Sequence, residues 1–171
     1  MTCDLRRLGI YLWRSAQTEG VAASVFARAS RESWLSTEDR DIAAGFAHQE
    51  NEHAKMLRDL AKEYLPTRPD QASRPLFVMA EPDVAIVGVN QAERMSLRGF
   101  GHMIDLGIRL KHAAMVRAYG IIASEELGHL AWSTRLLPLL RRDAGRRERI
   151  RAYLRTHPVA PEYRRQERPW T

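Results

Sequence analysis

Glu50-Asn-Glu-His53 in the first half of the chain and Glu126-Leu-Gly-His129 in the second decide how this sequence folds. Each Glu-x-x-His is preceded by a lone glutamate: Glu19 lies 31 residues before Glu50, and Glu93 lies 33 before Glu126. The two halves repeat nearly in register. The step is 74 residues from Glu19 to Glu93, and 76 from Glu50 to Glu126 and from His53 to His129. An i, i+3 spacing puts a glutamate and a histidine on one face of a helix, about one turn apart. Two such pairs, each joined by a glutamate from another helix, form the donor set that a helical bundle uses to hold two metal ions in its core.

Working outward, apolar residues recur at helical spacing over four long segments. The first runs from about Leu5 to Ser30. The second opens at Ser36, where Asp39 three residues on resembles a capping box, and reaches Tyr64–Leu65 before Pro66. A Pro-, Asp- and Ser-rich connection follows, with an apolar knot at Leu76–Met79. The third helix is predicted to begin near Pro82 and fade at Gly107, and the fourth to run from about Arg109 to Leu140 with Pro138 bending its end. A short basic helix over Arg146–Leu154 closes the pattern, with an irregular end over 157–171. No strand-like alternation of useful length is present. The expectation is an all-α chain: a four-helix bundle over residues 1–142, built from two hairpins joined by a long crossover connection, and an Arg-rich C-terminal extension over 143–171.

The key glutamates interrupt the seams that must face the core. The stripes read Leu8, Leu12, Glu19, Ala22, Phe26; then Ile42, Phe46, Glu50, His53, Leu57, Leu60, Tyr64; then Ile86, Val89, Glu93, Leu97, Phe100, Ile104; and finally Met115, Tyr119, Ile122, Glu126, His129, Leu136, Leu140. Buried carboxylates cost several kcal/mol each unless compensated, and divalent ions compensate several at once. One imidazole per ion among carboxylates suits iron or manganese better than zinc or copper. Iron is the first choice because the expected chemistry is oxidative, with manganese the other metal such donors suit.

Composition narrows the setting. With 171 residues, 44% hydrophobic and 28% charged, the chain is an ordinary globular domain. Cys3 is the only cysteine, which excludes a disulfide framework and a thiolate metal site. The beginning lacks the apolar run of a signal peptide, and the longest apolar stretches are too short for a bilayer, so a cytoplasmic protein is expected. The net charge of +6 lies entirely in residues 141–171, which hold ten Arg against four acids. Such a tail is a solvated end or a patch for a polyanion.

The run His48–Leu57, HQENEHAKML, and the span Glu19-x-x-Ala22-x-x-x-Phe26 resemble motifs of the ferritin-like di-iron carboxylate proteins, among them rubrerythrins most closely. The resemblance covers about residues 5–140. It implies that Glu50 and Glu126 bridge two iron ions, that Glu19 and Glu93 are terminal ligands, and that His53 and His129 give one nitrogen to each ion. Two departures count against a rubrerythrin-type peroxidase. The family's additional Glu three residues after the third-helix ligand is Ser96 here, and the four-cysteine rubredoxin module is missing. The six-ligand set is more similar to di-iron oxidases and oxygenases, which activate dioxygen at a reduced site and oxidise or hydroxylate a small organic substrate. With no redox module in the chain, an external donor of the ferredoxin or reductase type is implied. The alternatives are reduction of hydrogen peroxide, hydroxylation of a modified base in transfer RNA, and iron storage without catalysis. No aromatic-basic interleaving accompanies the Arg tail, which places RNA behind the small substrate. A homodimer is the common state of such bundles.

Around the ligands, Tyr119 lies two turns before Glu126 and is the candidate catalytic side chain, placed to orient a ligand or line a pocket. Phe26, Phe46 and Phe100 share the ligand face. His48 and His102 fall off their seams and are not ligands. Glu52 and Glu125 point at least about 100° away from the seam and are expected in solvent. Asp105 is a candidate to hydrogen-bond a ligating histidine.

Overall fold

The computed structural model describes residues 5–65 and 81–156, which form five helices: α1 (Leu5–Ala29), α2 (Thr37–Tyr64), α3 (Pro82–Arg109), α4 (Ala113–Arg142) and α5 (Ala144–Thr156). No strand is present among the described residues, so the chain is all-helical there. Among them, too, no helix is long and apolar enough to cross a membrane. The connection around Leu76–Met79 and the end over 157–171 lie outside the described residues.

Local chemistry sets the helix starts. Ser36 is the N-cap of α2, as the sequence predicted: its hydroxyl accepts from the Asp39 amide at 3.0 Å and donates to the Asp39 carboxylate at 2.7 Å. Pro82 occupies the first turn of α3, where its missing N–H costs nothing. The α3–α4 boundary differs from expectation. Helix α3 continues through Gly107 to Arg109, and α4 starts only at Ala113. The turn between them puts Lys111 at φ 54°, the left-handed conformation that glycine usually takes, and His112 caps α4 by accepting from the Met115 amide at 3.1 Å. Pro138 lies within α4, which runs on to Arg142.

α1 packs along α2 and α3 along α4, each pair antiparallel. Gly9 at the start of α1 is so close to the end of α2 that an added Cβ would lie 2.7 Å from Leu65 and 2.9 Å from Tyr64. Gly107 stands in the same relation to Val116, at 2.9 Å. Across the hairpins, the Tyr11 hydroxyl lies over Gly99 and His112 bonds Glu63 at 2.9 Å, so α1 runs antiparallel to α3 and α2 to α4.

The core is divided in two. One apolar half gathers Val25, Phe26, Ala47, Val89, Trp132 and Leu136; the other gathers Leu12, Ala16, Leu57, Phe100, Tyr119 and Ile122. Between them lies the layer of glutamates and histidines. The seams of α1 and α4 are buried as predicted. On the first turns of α2 the buried apolar positions are Ala43 and Ala47, where a close helix–helix approach selects small side chains, while Ile42, Phe46 and, at the far end, Tyr64 are only partly buried. Leu97 and Ile104 on α3 are likewise half-buried.

α5 folds back onto α3 and α4. Ile150 is fully buried, Arg149 pairs with the buried Asp83 at the start of α3, and the Arg146 guanidinium stacks 4.4 Å over the Trp34 ring. At the same end, Asp39 accepts from Ser36, Trp132 and Arg135. Burial opposes its ionisation, but the hydrogen bonds from Ser36 and Arg135 hold its carboxyl below the usual range. Truncating Ile150 to Ala should cost about 2–5 kcal/mol in urea denaturation. Leu127→Ala, at a position 58% exposed, should stay within about 0.5 kcal/mol of the parent.

Candidate metal centre

The six residues singled out by their spacing converge. Glu19, Glu50, His53 and Glu126 present donor atoms that all lie within 4.8 Å of one another, and so do Glu50, Glu93, Glu126 and His129. All six side chains are buried. Two of them, Glu50 and Glu126, belong to both groups. The helix faces explain the convergence: each glutamate replaces an apolar residue in an inward stripe at the same height in the bundle.

Both imidazoles turn Nδ1 inward. His53 Nδ1 lies 3.5 Å from Glu50 and 3.6 Å from Glu126; His129 Nδ1 lies 3.2 Å from Glu50, 3.5 Å from Glu126 and 3.7 Å from Glu93. Their outer nitrogens are anchored across the α2–α4 interface. His53 Nε2 donates to the Glu125 carboxylate at 2.7 Å, and His129 Nε2 donates to Gln49 Oε1 at 2.9 Å. Each anchor fixes the tautomer that leaves the Nδ1 lone pair facing the carboxylates.

Two sequence-level expectations change here. Glu125 is not a solvated bystander: it is 33% exposed and its carboxylate holds His53. A glutamate a quarter-turn off the seam still reaches the neighbouring helix, because its chain is long and α2 and α4 are adjacent. Asp105 is exposed, and the outer nitrogens it was a candidate to hold belong to Glu125 and Gln49. Gln49 escaped notice because an uncharged residue beside a seam carries no signal of its own; the 76-residue repeat, which pairs it with Glu125, could have found it. Glu52 is exposed and pairs with Lys55, and His48 and His102 are exposed.

The walls are aromatic. Phe46 and Phe26 pack on His129 with ring centroids 4.3 and 5.1 Å away, and Trp132 backs both at 5.8 Å. On the opposite side of the layer, Phe100 stacks against Tyr119 at 5.8 Å. The Tyr119 hydroxyl is buried; burial first, then the charges of Tyr11 and Glu19, push its pKa up, so it keeps its proton.

Seven donor atoms of the cluster lack a hydrogen-bond partner: both oxygens of Glu50 and of Glu93, one of Glu126, and Nδ1 of each histidine. So many unsatisfied buried atoms would be prohibitive in an apolar interior. Without a cation the cluster must hold protons. Burial, reinforced by the neighbouring carboxylates, pushes Glu19 and Glu93 well above the usual carboxyl range. Burial also pulls the histidines down, but the carboxylates of Glu126 and Glu50 outweigh it, raising His53 to about 10 and His129 to about 8. Glu50 is the exception. Burial pushes it up, and the nearby imidazoles of His129 and His53 bring it below its usual value. These donors fit a divalent cation in each group. Ligands bonded at ~2.1 Å on opposite sides of an ion are ~4.2 Å apart, close to the spacing found, and all are hard oxygen or imidazole nitrogen.

No protein-family model, curated protein or solved structure matches the chain.

A raised pKa gives stability that is present below the unfolded value and lost as pH climbs to the folded one. Metal-free protein should therefore melt at progressively lower temperature from about pH 4.5 upward, as Glu19 and Glu93 resist ionising, and further from about pH 6.5 through about 8 for His129 and about 10 for His53. Glu93→Gln, which removes a carboxylate held protonated, should leave the metal-free melting temperature unchanged or higher while abolishing much of the stabilisation by added divalent metal. Thermal melts across pH, with and without metal, measure both effects.

Proposed function

We propose that this chain is a di-iron oxidase or monooxygenase that uses dioxygen to oxidise or hydroxylate a small organic substrate. The observation that carries the proposal is the pair of buried four-donor groups sharing Glu50 and Glu126. When bound, two ferrous ions supply two electrons to dioxygen, and an external donor must restore them after each turnover. In this reading Glu50 and Glu126 would serve both ions, Glu19 and His53 would complete one donor set, and Glu93 and His129 would complete the other. Glu125 and Gln49 orient the two imidazoles. Phe26, Phe46 and Trp132 exclude water from the His129 side. Tyr119 is neutral and buried, its hydroxyl has no hydrogen-bond partner, and it is the residue we assign to lining the pocket and meeting a polar atom of the substrate.

The chain directions support a ferritin-like bundle. α2 ends beside the start of α1, whereas Val84 and Val89 near the start of α3 share a core with Val25 and Ala29 near the end of α1. The link from Leu65 to Glu81 must therefore cover the length of a 28-residue helix, ~42 Å at 1.5 Å per residue. Its sixteen peptide steps reach ~55 Å when extended.

Ser96 supports the oxygen-using reading over the peroxidase. It stands half-buried one turn after Glu93, where a further carboxylate would add a seventh ligand and a fifth acidic one. Anaerobic loading should take up two equivalents of Fe(II) per chain by metal analysis. Oxygen should then reoxidise the loaded protein at least as fast as equimolar hydrogen peroxide in stopped flow. A much faster peroxide reaction would transfer the assignment to a peroxidase, and uptake of no iron would end it.

A further inference from the structure

Gln49 and Glu125 are related by the same 76-residue step as the ligands beside them. Each immediately precedes the shared glutamate of its motif, and each crosses the α2–α4 interface to the histidine of the other motif: Glu125 from α4 to His53, Gln49 from α2 to His129. The geometry of the two contacts is matched, at 2.7 and 2.9 Å, and both receive an Nε2–H. Their chemistry is not matched. One acceptor is an anionic carboxylate and the other a neutral amide. Every other donor is duplicated in kind: one terminal glutamate and one histidine on each side, with two glutamates in common.

On the basis of the two-ion reading above, we infer that Glu125 and Gln49 are positioning residues that make the two metal positions unequal, so that the position served by His53 fills first and the one served by His129 second. A carboxylate accepting the outer N–H of an imidazole polarises the ring and makes its inner nitrogen a stronger donor, and loss of such a partner typically lowers metal affinity about 10- to 100-fold. An amide oxygen holds the ring orientation without that added charge. The inequality is therefore electronic, superimposed on a nearly symmetric cage. It would permit one ion to stay while the other exchanges.

Co(II) is a suitable probe because it binds carboxylate and imidazole and its visible bands report each ion as it enters. Titrating the metal-free full chain anaerobically, with a competing chelator to fix affinities, should give two steps of different strength. In the parent, His53→Ala should delete the tight step and His129→Ala the weak one. Glu125→Gln should weaken the tight step about 10- to 100-fold with little change in the other. The exchanged pair, Gln49→Glu with Glu125→Gln, keeps total charge and composition and should transfer the tight step to the His129 position, so that His53→Ala now deletes the weak one. A merely structural role for these residues cannot reverse the order of filling. Two ions binding with affinities that the exchange leaves in place would overturn this inference alone. Failure of the parent to bind two ions would overturn the two-ion reading and the inference with it. A single cooperative melting transition in each metal-free variant, at lower temperature for the two histidine truncations, confirms that each is folded.

Discussion

Four carboxylates at one level of a helical core are the constraint from which the rest of this structure follows. They mutually repel, and they are shielded from water by apolar layers above and below. Histidines alone do not cancel them. Protons can, at the cost of pushing Glu19 and Glu93 far from their ordinary titration range and holding His53 charged to about pH 10. Divalent cations satisfy the same atoms without that distortion. The aromatic wall of Phe26, Phe46 and Trp132 then has a definite meaning: it keeps the surroundings of His129 dry, where charge interactions are strongest.

The apolar halves and the polar layer support each other. Small residues at Ala43, Ala47 and Gly9 let α1 and α2 approach closely, which brings Glu19 within reach of Glu50 and His53. On the other hairpin, Asn90 donates to Ser133 and Thr134 at 2.9 Å each, a buried polar tie just beyond the layer that sets the relative height of α3 and α4. α5 closes the end of the first apolar half, with Ile150 in the core and Arg149 on Asp83. Misplacing any of these by a fraction of a turn would separate donors that now lie within a few ångströms.

The six residues of the cluster were legible in the sequence because each glutamate violates its surroundings and each histidine follows one at the same spacing. A glutamate in the middle of a stripe of Leu, Ile and Phe is conspicuous, and a second copy 76 residues later removes coincidence. The cap at Ser36 was legible for a similar reason, as a local pattern complete in four residues. What could not be read depended on neighbours from other helices. Glu125 looked like surface because its own helix turns it outward; only the adjacency of α2 and α4 makes it a partner of His53. The turn at Lys111 carries no glycine to announce it. Asp39 and Asp83 are buried acids whose arginine partners lie 96 and 66 residues away, a distance that no local pattern spans.

Each hairpin supplies three of the six donors, and each four-donor group borrows its last member from the opposite hairpin: Glu126 for one, Glu50 for the other. Neither hairpin can therefore complete a group alone. An ion seated in either group would act as a clasp between two prefabricated parts, so that its capture and the fastening of the two halves would become one event.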